Sequence, residues 1–171
     1  MRVCECEVPS DTQVSPAVVR AAYFRDAYSA PLTRHSLGIV DIYAAVFGHA
    51  PLYVKLLLIA RNAVAKLAGL EVSSASEIMT PKIHGAYQVG DRIGPWPVFA
   101  VNEREIVAGR NNPHLDFRLS VLRTRDGALV VVSTICTVHN VAGRIYLFFI
   151  TPFHRFGVKR LMSRALSANR L

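Results

Sequence analysis

The sequence has few cysteines, and they are not regularly spaced. The three are Cys4, Cys6 and Cys136, an odd number that does not form a disulfide framework. A metal site needs more ligands at better spacing, and the histidines add no regular pairing. We therefore predict reduced thiols, no metal and a cytoplasmic protein.

The sequence also lacks a long uninterrupted apolar run. The longest, residues 51–70, contains Lys55, Arg61, Asn62 and Lys66, whereas a membrane span requires about 20 almost wholly apolar residues. The first seven residues include two acids and form no signal-peptide core. We predict neither a transmembrane helix nor a secretion signal.

Acidic residues are missing from 153–171, which carry five basic residues. Much of the net charge of +8 therefore belongs to one terminal segment. Its aromatic residues do not alternate with the charges as in single-strand binders, so we do not expect a nucleic-acid partner. Two interpretations stay open, namely a solvated basic face and peripheral contact with an anionic membrane.

The composition favours a folded chain. With 171 residues, 51% of them hydrophobic, the chain can bury a core, and compositional disorder is excluded. We predict a single domain over residues 1–171.

Helical periodicity is concentrated in the first half of the chain. A helical turn at 16–22 and a strand at 23–32 come first. A helix then begins near Ser36, a plausible N-cap, and ends at Gly48. A second helix extends from Pro51 to Gly69, and an irregular segment covers 71–82.

Strand-like alternation dominates the second half. The clearest hairpin signal is Arg125-Asp126-Gly127, because Asp-Gly suits a tight turn between two β-rich runs. The connections are short, so neighbouring strands should be antiparallel. An amphipathic helix from about Phe153 ends the chain. The predicted strands are 83–89, 97–101, 105–109, 114–124, 128–139 and 144–150.

This order predicts an α+β fold in which a curved antiparallel sheet of six to seven strands surrounds a long C-terminal helix. It resembles the helix-grip fold of the Bet v 1, START and polyketide-cyclase superfamily. That resemblance implies an apolar cavity between sheet and helix.

Several short segments carry a resemblance to a known family. They are Asp26-Ala27-Tyr28, Arg61-Asn62 before Gly69-Leu70, His114 to Arg118, Gly143 to Tyr146, and Pro152 to Arg155. On these residues the chain resembles, over roughly residues 23–168, an uncharacterised bacterial family, domain of unknown function 2867. Similar domains also occur behind Rossmann domains, but the sequence has no Gly-x-Gly-x-x-Gly motif after a strand, so no cofactor is expected.

Five side chains are candidates for a ligand site. Asp116 and Arg118 share one face of a strand, where they form either half of a polar site or a solvated ion pair. Arg61 lies on the apolar flank of its helix, where it needs water or a carboxylate partner. Tyr146, and His154 on the apolar side of the last helix, are either site residues or core residues.

The strands predicted at 128–139 and 144–150 are apolar on both faces. A second apolar face needs a cover, either a partner subunit in a homodimer or the helices of residues 37–70 reaching round the sheet.

Three functions are consistent with these features. The first is binding of a small hydrophobic or amphipathic molecule in a cavity between sheet and terminal helix. The second is a cyclase- or hydratase-like enzyme that uses the same cavity, with Asp116 or His154 as acid or base. The third is an interaction or membrane-surface protein that uses the basic helix.

Overall fold

Among residues 2–67, 75–76 and 85–171, which the computed structural model describes, seven strands form one antiparallel sheet. The order across the sheet is β1-β2-β7-β6-β5-β4-β3. The strands are β1 (Cys4–Cys6), β2 (Phe24–Pro31), β3 (Arg92–Ile93), β4 (Trp96–Val101), β5 (Glu105–Arg110), β6 (Leu115–Arg123) and β7 (Leu129–Val138).

The helices lie between the early strands and at the end of the chain. They are α1 (Pro16–Arg20), α2 (Ile39–Phe47), α3 (Leu52–Leu67) and α4 (Val141–Ser167). On α3, the side chains of residues 57, 61, 64, 65 and 67 lie outside the described part of the structure. The α+β class, the antiparallel sheet and the long terminal helix packed against it are confirmed.

The β6–β7 hairpin confirms the predicted turn. Gly127 has φ of +70°, a conformation that glycine adopts without steric cost. Asp126 accepts a hydrogen bond from the Ala128 amide at 3.0 Å, and Thr124 donates to the Asp126 carboxylate. The two strands then pair from Leu115↔Val138 to Arg123↔Val130.

The main core lies between one sheet face and helices α2 and α4. Tyr28, Val121 and Val132 from the sheet pack in the same cluster as Ile42 of α2 and Met162 of α4. All five side chains are buried, so α4 is held against the sheet chiefly by the hydrophobic effect.

The N-terminal segment packs against part of the opposite sheet face. Val14 and Val18 pack against Val107 and Ile135. The segment is anchored by the buried Glu105, whose carboxylate accepts hydrogen bonds from Thr12, the Gln13 amide and Ser120. The sequence left open a partner subunit or the helices of 37–70 as the cover; around Val107 and Ile135 the N-terminal segment lies on this face instead, and a homodimer stays a prediction.

The strand predicted at 144–150 is wrong, because these residues are helical. Asn140 caps the helix, accepting a hydrogen bond from the Gly143 amide at 3.1 Å. A Cβ at Gly143 would lie 2.3 Å from the His114 carbonyl oxygen, so glycine permits close packing there. The helix continues through Pro152, which suits a helix start better than a helix interior and helped to place the predicted boundary too late.

Smaller differences occur elsewhere. Residues 85–89 are irregular although a strand was predicted over 83–89, and β3 follows at Arg92–Ile93. Residues 83–84 and most of the irregular segment predicted at 71–82 lie outside the described residues. The helix after β2 begins at Ile39 with Gly38 at its N-cap, not at Ser36.

Within the described ranges, no single helix is long and apolar enough to cross a membrane. Helix α2 and the first part of α3 together reach the required length and composition, but they are bent by 87° relative to each other.

Candidate functional site

A polar cluster interrupts the apolar contact between the sheet and α4. At its centre is Asp26, which is 6% exposed. Its Oδ2 atom accepts a hydrogen bond from the Tyr28 hydroxyl at 3.1 Å, and its Oδ1 atom lies 3.3 Å from Nε2 of His154. The histidine tautomer with its proton on Nε2 donates to the carboxylate.

The strand register brings these groups together. Asp26 and Tyr28 are two residues apart on β2, so their side chains point to the same sheet face. Thr134 is opposite Asp26 on β7, and its buried hydroxyl has no hydrogen-bond partner among the described residues. Helix α4 packs on the same sheet face and places the His154 side chain next to Asp26.

The environment keeps Tyr28 protonated. Burial raises the pKa of this phenol, and the adjacent Asp26 charge raises it further. The hydroxyl is therefore a permanent donor to the carboxylate. Phe24 packs edge-on against the His154 ring, with 5.8 Å between ring centroids, and limits where that ring can move.

Two cations of α4 lie at the edge of the cluster. The Arg155 guanidinium is 5.6 Å from the Phe24 ring centroid, and the Lys159 ammonium is 5.0 Å from that of Tyr28. Both distances are within the range of cation–π attraction. Lys159 also lies 3.4 Å from the exposed carboxylate of Glu5.

A groove of about 420 Å³ opens beside Lys159, between the N-terminal residues and the last turns of α4. It therefore adjoins the polar cluster through Lys159. Its lining combines two cations, two hydroxyl groups and two apolar side chains: Arg2, Lys159, Ser163, Ser167, Val3 and Leu166.

Two of the predicted site residues lie on the other sheet face. Asp116 is 3.1 Å from Nε2 of His139 and also accepts a hydrogen bond from the Asn112 amide. Arg118 donates to Asn111 at 2.7 Å and lies 3.7 Å from the Phe99 ring centroid. Burial lowers the pKa of this guanidinium.

The other three candidates are on helices. Tyr146 of α4 packs near Leu115 and Leu147, on the same sheet side as His154. The sheet separates these two side chains from Asp116 and Arg118, so the structure does not bring the four together. The side chain of Arg61 lies outside the described part of α3.

Asp26, Tyr28 and Thr134 are not among the site residues predicted from the sequence. The available signal was an acid and a tyrosine alternating on a strand with Ala27 and Ala30 beside them. That pattern places two polar groups on one face, but it does not reveal that this face is covered by α4.

The chemical character of the cluster is that of an oriented acid–base pair. A carboxylate that accepts a hydrogen bond from one ring nitrogen of a histidine fixes its tautomer and orients the ring. The His154 side chain is 24% exposed, so the ring is accessible from solvent. Among the described residues, no group of three or more histidine, cysteine or acidic side chains is arranged to hold a metal ion.

Residues 18–161 match DUF2867, a family of proteins of unknown function. The chain belongs to the DUF2867 family. The match includes strands β2 to β7 and α4 as far as Leu161, and hence the Asp26–His154 pair. No curated protein and no solved structure matches this DUF2867 chain.

Proposed function

We propose that this DUF2867 protein binds a small amphipathic molecule with an anionic end in the groove beside Lys159. The supporting observation is the lining, in which the cations Arg2 and Lys159 adjoin the apolar Val3 and Leu166. Ligand pockets commonly combine apolar walls with a few polar groups that orient the ligand.

The position of the groove also supports the proposal. Helix-grip proteins, which the order of elements resembles, have their cavities between sheet and terminal helix. Here the groove borders that same helix, and Lys159 links it to Tyr28. The anionic end of the ligand would lie at Lys159, where Glu5 is now the neighbouring carboxylate.

Isothermal titration calorimetry with decanoate tests this proposal. Lys159→Gln should weaken binding about tenfold, the loss expected for one charge-assisted contact. Arg164→Gln is the matched control, because Arg164 lies on the same helix but does not line the groove. Glu5→Gln should strengthen binding, since it removes a competing carboxylate.

Two further measurements make the test specific. Ser163→Phe should fill the groove and abolish binding, and decanol should bind less tightly than decanoate. Equal affinity of the wild type, Lys159→Gln and Ser163→Phe for decanoate would refute the groove as the binding site.

The Asp26–His154 pair favours a second function, an acid–base enzyme of the cyclase or hydratase kind. In it, His154 would remove a proton next to a substrate carbonyl while Asp26 stabilises the charged ring. Solvent deuterium exchange into a long-chain 2-oxo acid, followed by mass spectrometry, tests this function. Exchange should require His154 and persist in the control His139→Gln; equal exchange in His154→Gln excludes it.

A further inference from the structure

The first half of α4 exposes an apolar stripe. Its members recur at intervals of three or four residues and therefore share one side of the helix. Phe148 and Phe149 are 77% and 66% exposed, and the other members are all more than half exposed. The stripe consists of Val141, Ile145, Phe148, Phe149, Phe153 and Phe156.

This part of α4 is apolar on two sides. Gly143 and Leu147 face inward and are buried, while the phenylalanines face away from the sheet. Four exposed phenylalanines on one helix amount to an apolar surface on the order of several hundred Å², as large as patches that bind partners or membranes.

The charged residues near the stripe in the sequence are all basic. Residues 127–171 contain no aspartate or glutamate and six basic residues. Arg144 and Arg155 lie three helical turns apart and hence on one flank of the stripe. Lys159 and Arg160 follow three and four residues after its last phenylalanine, Phe156.

The apolar surface continues onto α3. Nε of Arg160 donates to the Tyr53 hydroxyl at 3.3 Å, which brings the end of the stripe to the start of α3. Leu52 and Leu56, beside Tyr53, are more than half exposed. Cations and exposed apolar side chains from two helices therefore meet at this point.

We propose that the apolar stripe of α4 inserts into the interface of an anionic lipid membrane, with α4 lying in the membrane plane. An apolar helix face rich in phenylalanine and flanked by arginine and lysine is the pattern of such interfacial helices. From Val141 to Phe156 the stripe extends over about 22 Å at 1.5 Å per residue, long enough for contact with several lipids.

The charge pattern favours lipid over a second copy of the chain. A two-fold symmetric interface places the same surface against itself. Here that would bring arginine towards arginine, with no acidic side chain from 127–171 to compensate. Anionic headgroups supply the missing negative charge.

Vesicle co-sedimentation tests the proposal. The full chain should bind vesicles of phosphatidylcholine with about one third phosphatidylglycerol, and binding should weaken in high salt because surface charges are screened. Phe148→Ser combined with Phe149→Ser should reduce binding at least tenfold. Val89→Ser is the matched control, since Val89 is 68% exposed and far from α4 in sequence.

A charge series completes the experiment. Arg144→Gln with Arg160→Gln should reduce binding about fivefold per arginine, whereas Arg20→Gln with Arg34→Gln removes the same charge elsewhere and should change it little. Circular dichroism verifies that each variant is folded. Phe149→Trp, a milder change, should show a blue-shifted emission with anionic vesicles and quenching by brominated lipid.

Two results would overturn the proposal. One is that the phenylalanine variants bind vesicles as tightly as the wild type does, or that neither the wild type nor the variants bind. The other is that light scattering shows a dimer for the wild type and a monomer for the phenylalanine variant, while the wild-type dimer does not bind vesicles. The stripe would then be an interface between copies of the chain. Because decanoate binding is measured separately, neither result bears on the groove.

Discussion

His154 and Asp26 are 128 residues apart in sequence, yet Nε2 of the histidine lies 3.3 Å from Oδ1 of the carboxylate. This contact joins α4 to the second strand, within a polar cluster that interrupts the apolar contact between helix and sheet. A buried carboxylate needs such partners, because an unpaired charge away from water is costly.

A double-mutant cycle measures the strength of this contact. Asp26→Asn and His154→Gln should each lower the free energy of unfolding by about 1–3 kcal/mol. Their effects should not add, and the coupling should be about 0.5–3 kcal/mol because the side chains are in direct contact. Urea unfolding of the four proteins gives the value. Full additivity would show that the two groups do not interact.

Glu105 should be essential for holding the N-terminal segment on the sheet. Glu105→Gln should lower the free energy of unfolding by about 1.5–3 kcal/mol, since it removes charge-assisted hydrogen bonds from Thr12 and the Gln13 amide. Limited proteolysis should then cleave the chain within residues 8–22. The exposed neighbour Glu103 provides the control Glu103→Gln, for which the change should stay within about 0.5 kcal/mol.

Two glycines on α4 should respond to alanine in opposite ways. Gly143→Ala should destabilise the protein, because the new Cβ would meet the His114 carbonyl oxygen at 2.3 Å. Gly157→Ala should stabilise it by about 0.5–1 kcal/mol, since apart from its chain neighbours and the local helix backbone no atom lies within 4 Å of its Cβ position and alanine favours helix. Thermal unfolding compares them. Equal tolerance at both positions would contradict the close packing of Gly143.

The stability of the protein should depend on Asp11 at acid pH. A hydrogen bond from Arg104, aided by Arg125, lowers the pKa of this carboxyl from its usual 3.8. The ion pair therefore stabilises the folded protein above the usual pKa of an aspartate. This contribution to the free energy of unfolding is lost as the pH falls through the lowered pKa of Asp11.

Asp11→Asn should cost about 0.5–1 kcal/mol near neutral pH, the upper range for a partly exposed pair. Its stability should converge with that of the wild type as the pH falls through the lowered pKa of Asp11. Urea unfolding at several pH values measures this, with the exposed Glu7→Gln as control. A constant difference at all pH values would show that Asp11 ionisation is not involved.

Local signals predicted much of the fold. The Asp126-Gly127 turn, the helix stop at Gly48 and the alternation of Leu115 to Val121 each depend on neighbouring residues, and each was identified correctly. Antiparallel pairing followed from the short connections between strands.

The errors arose where tertiary contacts outweigh local preference. Residues 144–150 are rich in aromatic and β-branched side chains, which favour strands. They are helical because Asn140 caps them and Gly143 packs against His114 and Val138. The N-terminal cover of the second face was missed because Val14 and Val18 contact strands about 90 to 120 residues away.

The site was predictable only in part. His154 was placed on the apolar side of the last helix, which the structure agrees with, but its partner Asp26 could not be found without the strand register. Asp116 and Arg118 were grouped with His154 although the sheet separates them. The single-domain and cytoplasmic assignments stay predictions.

The central claim, that the groove beside Lys159 binds an amphipathic anion, is tested most directly by titrating the ¹⁵N-labelled protein with decanoate and following its amide NMR signals. We predict saturable shifts concentrated at Val3 and at residues 159–167. Shifts confined to the exposed phenylalanines of residues 148–156, with the groove signals unchanged, would contradict the claim.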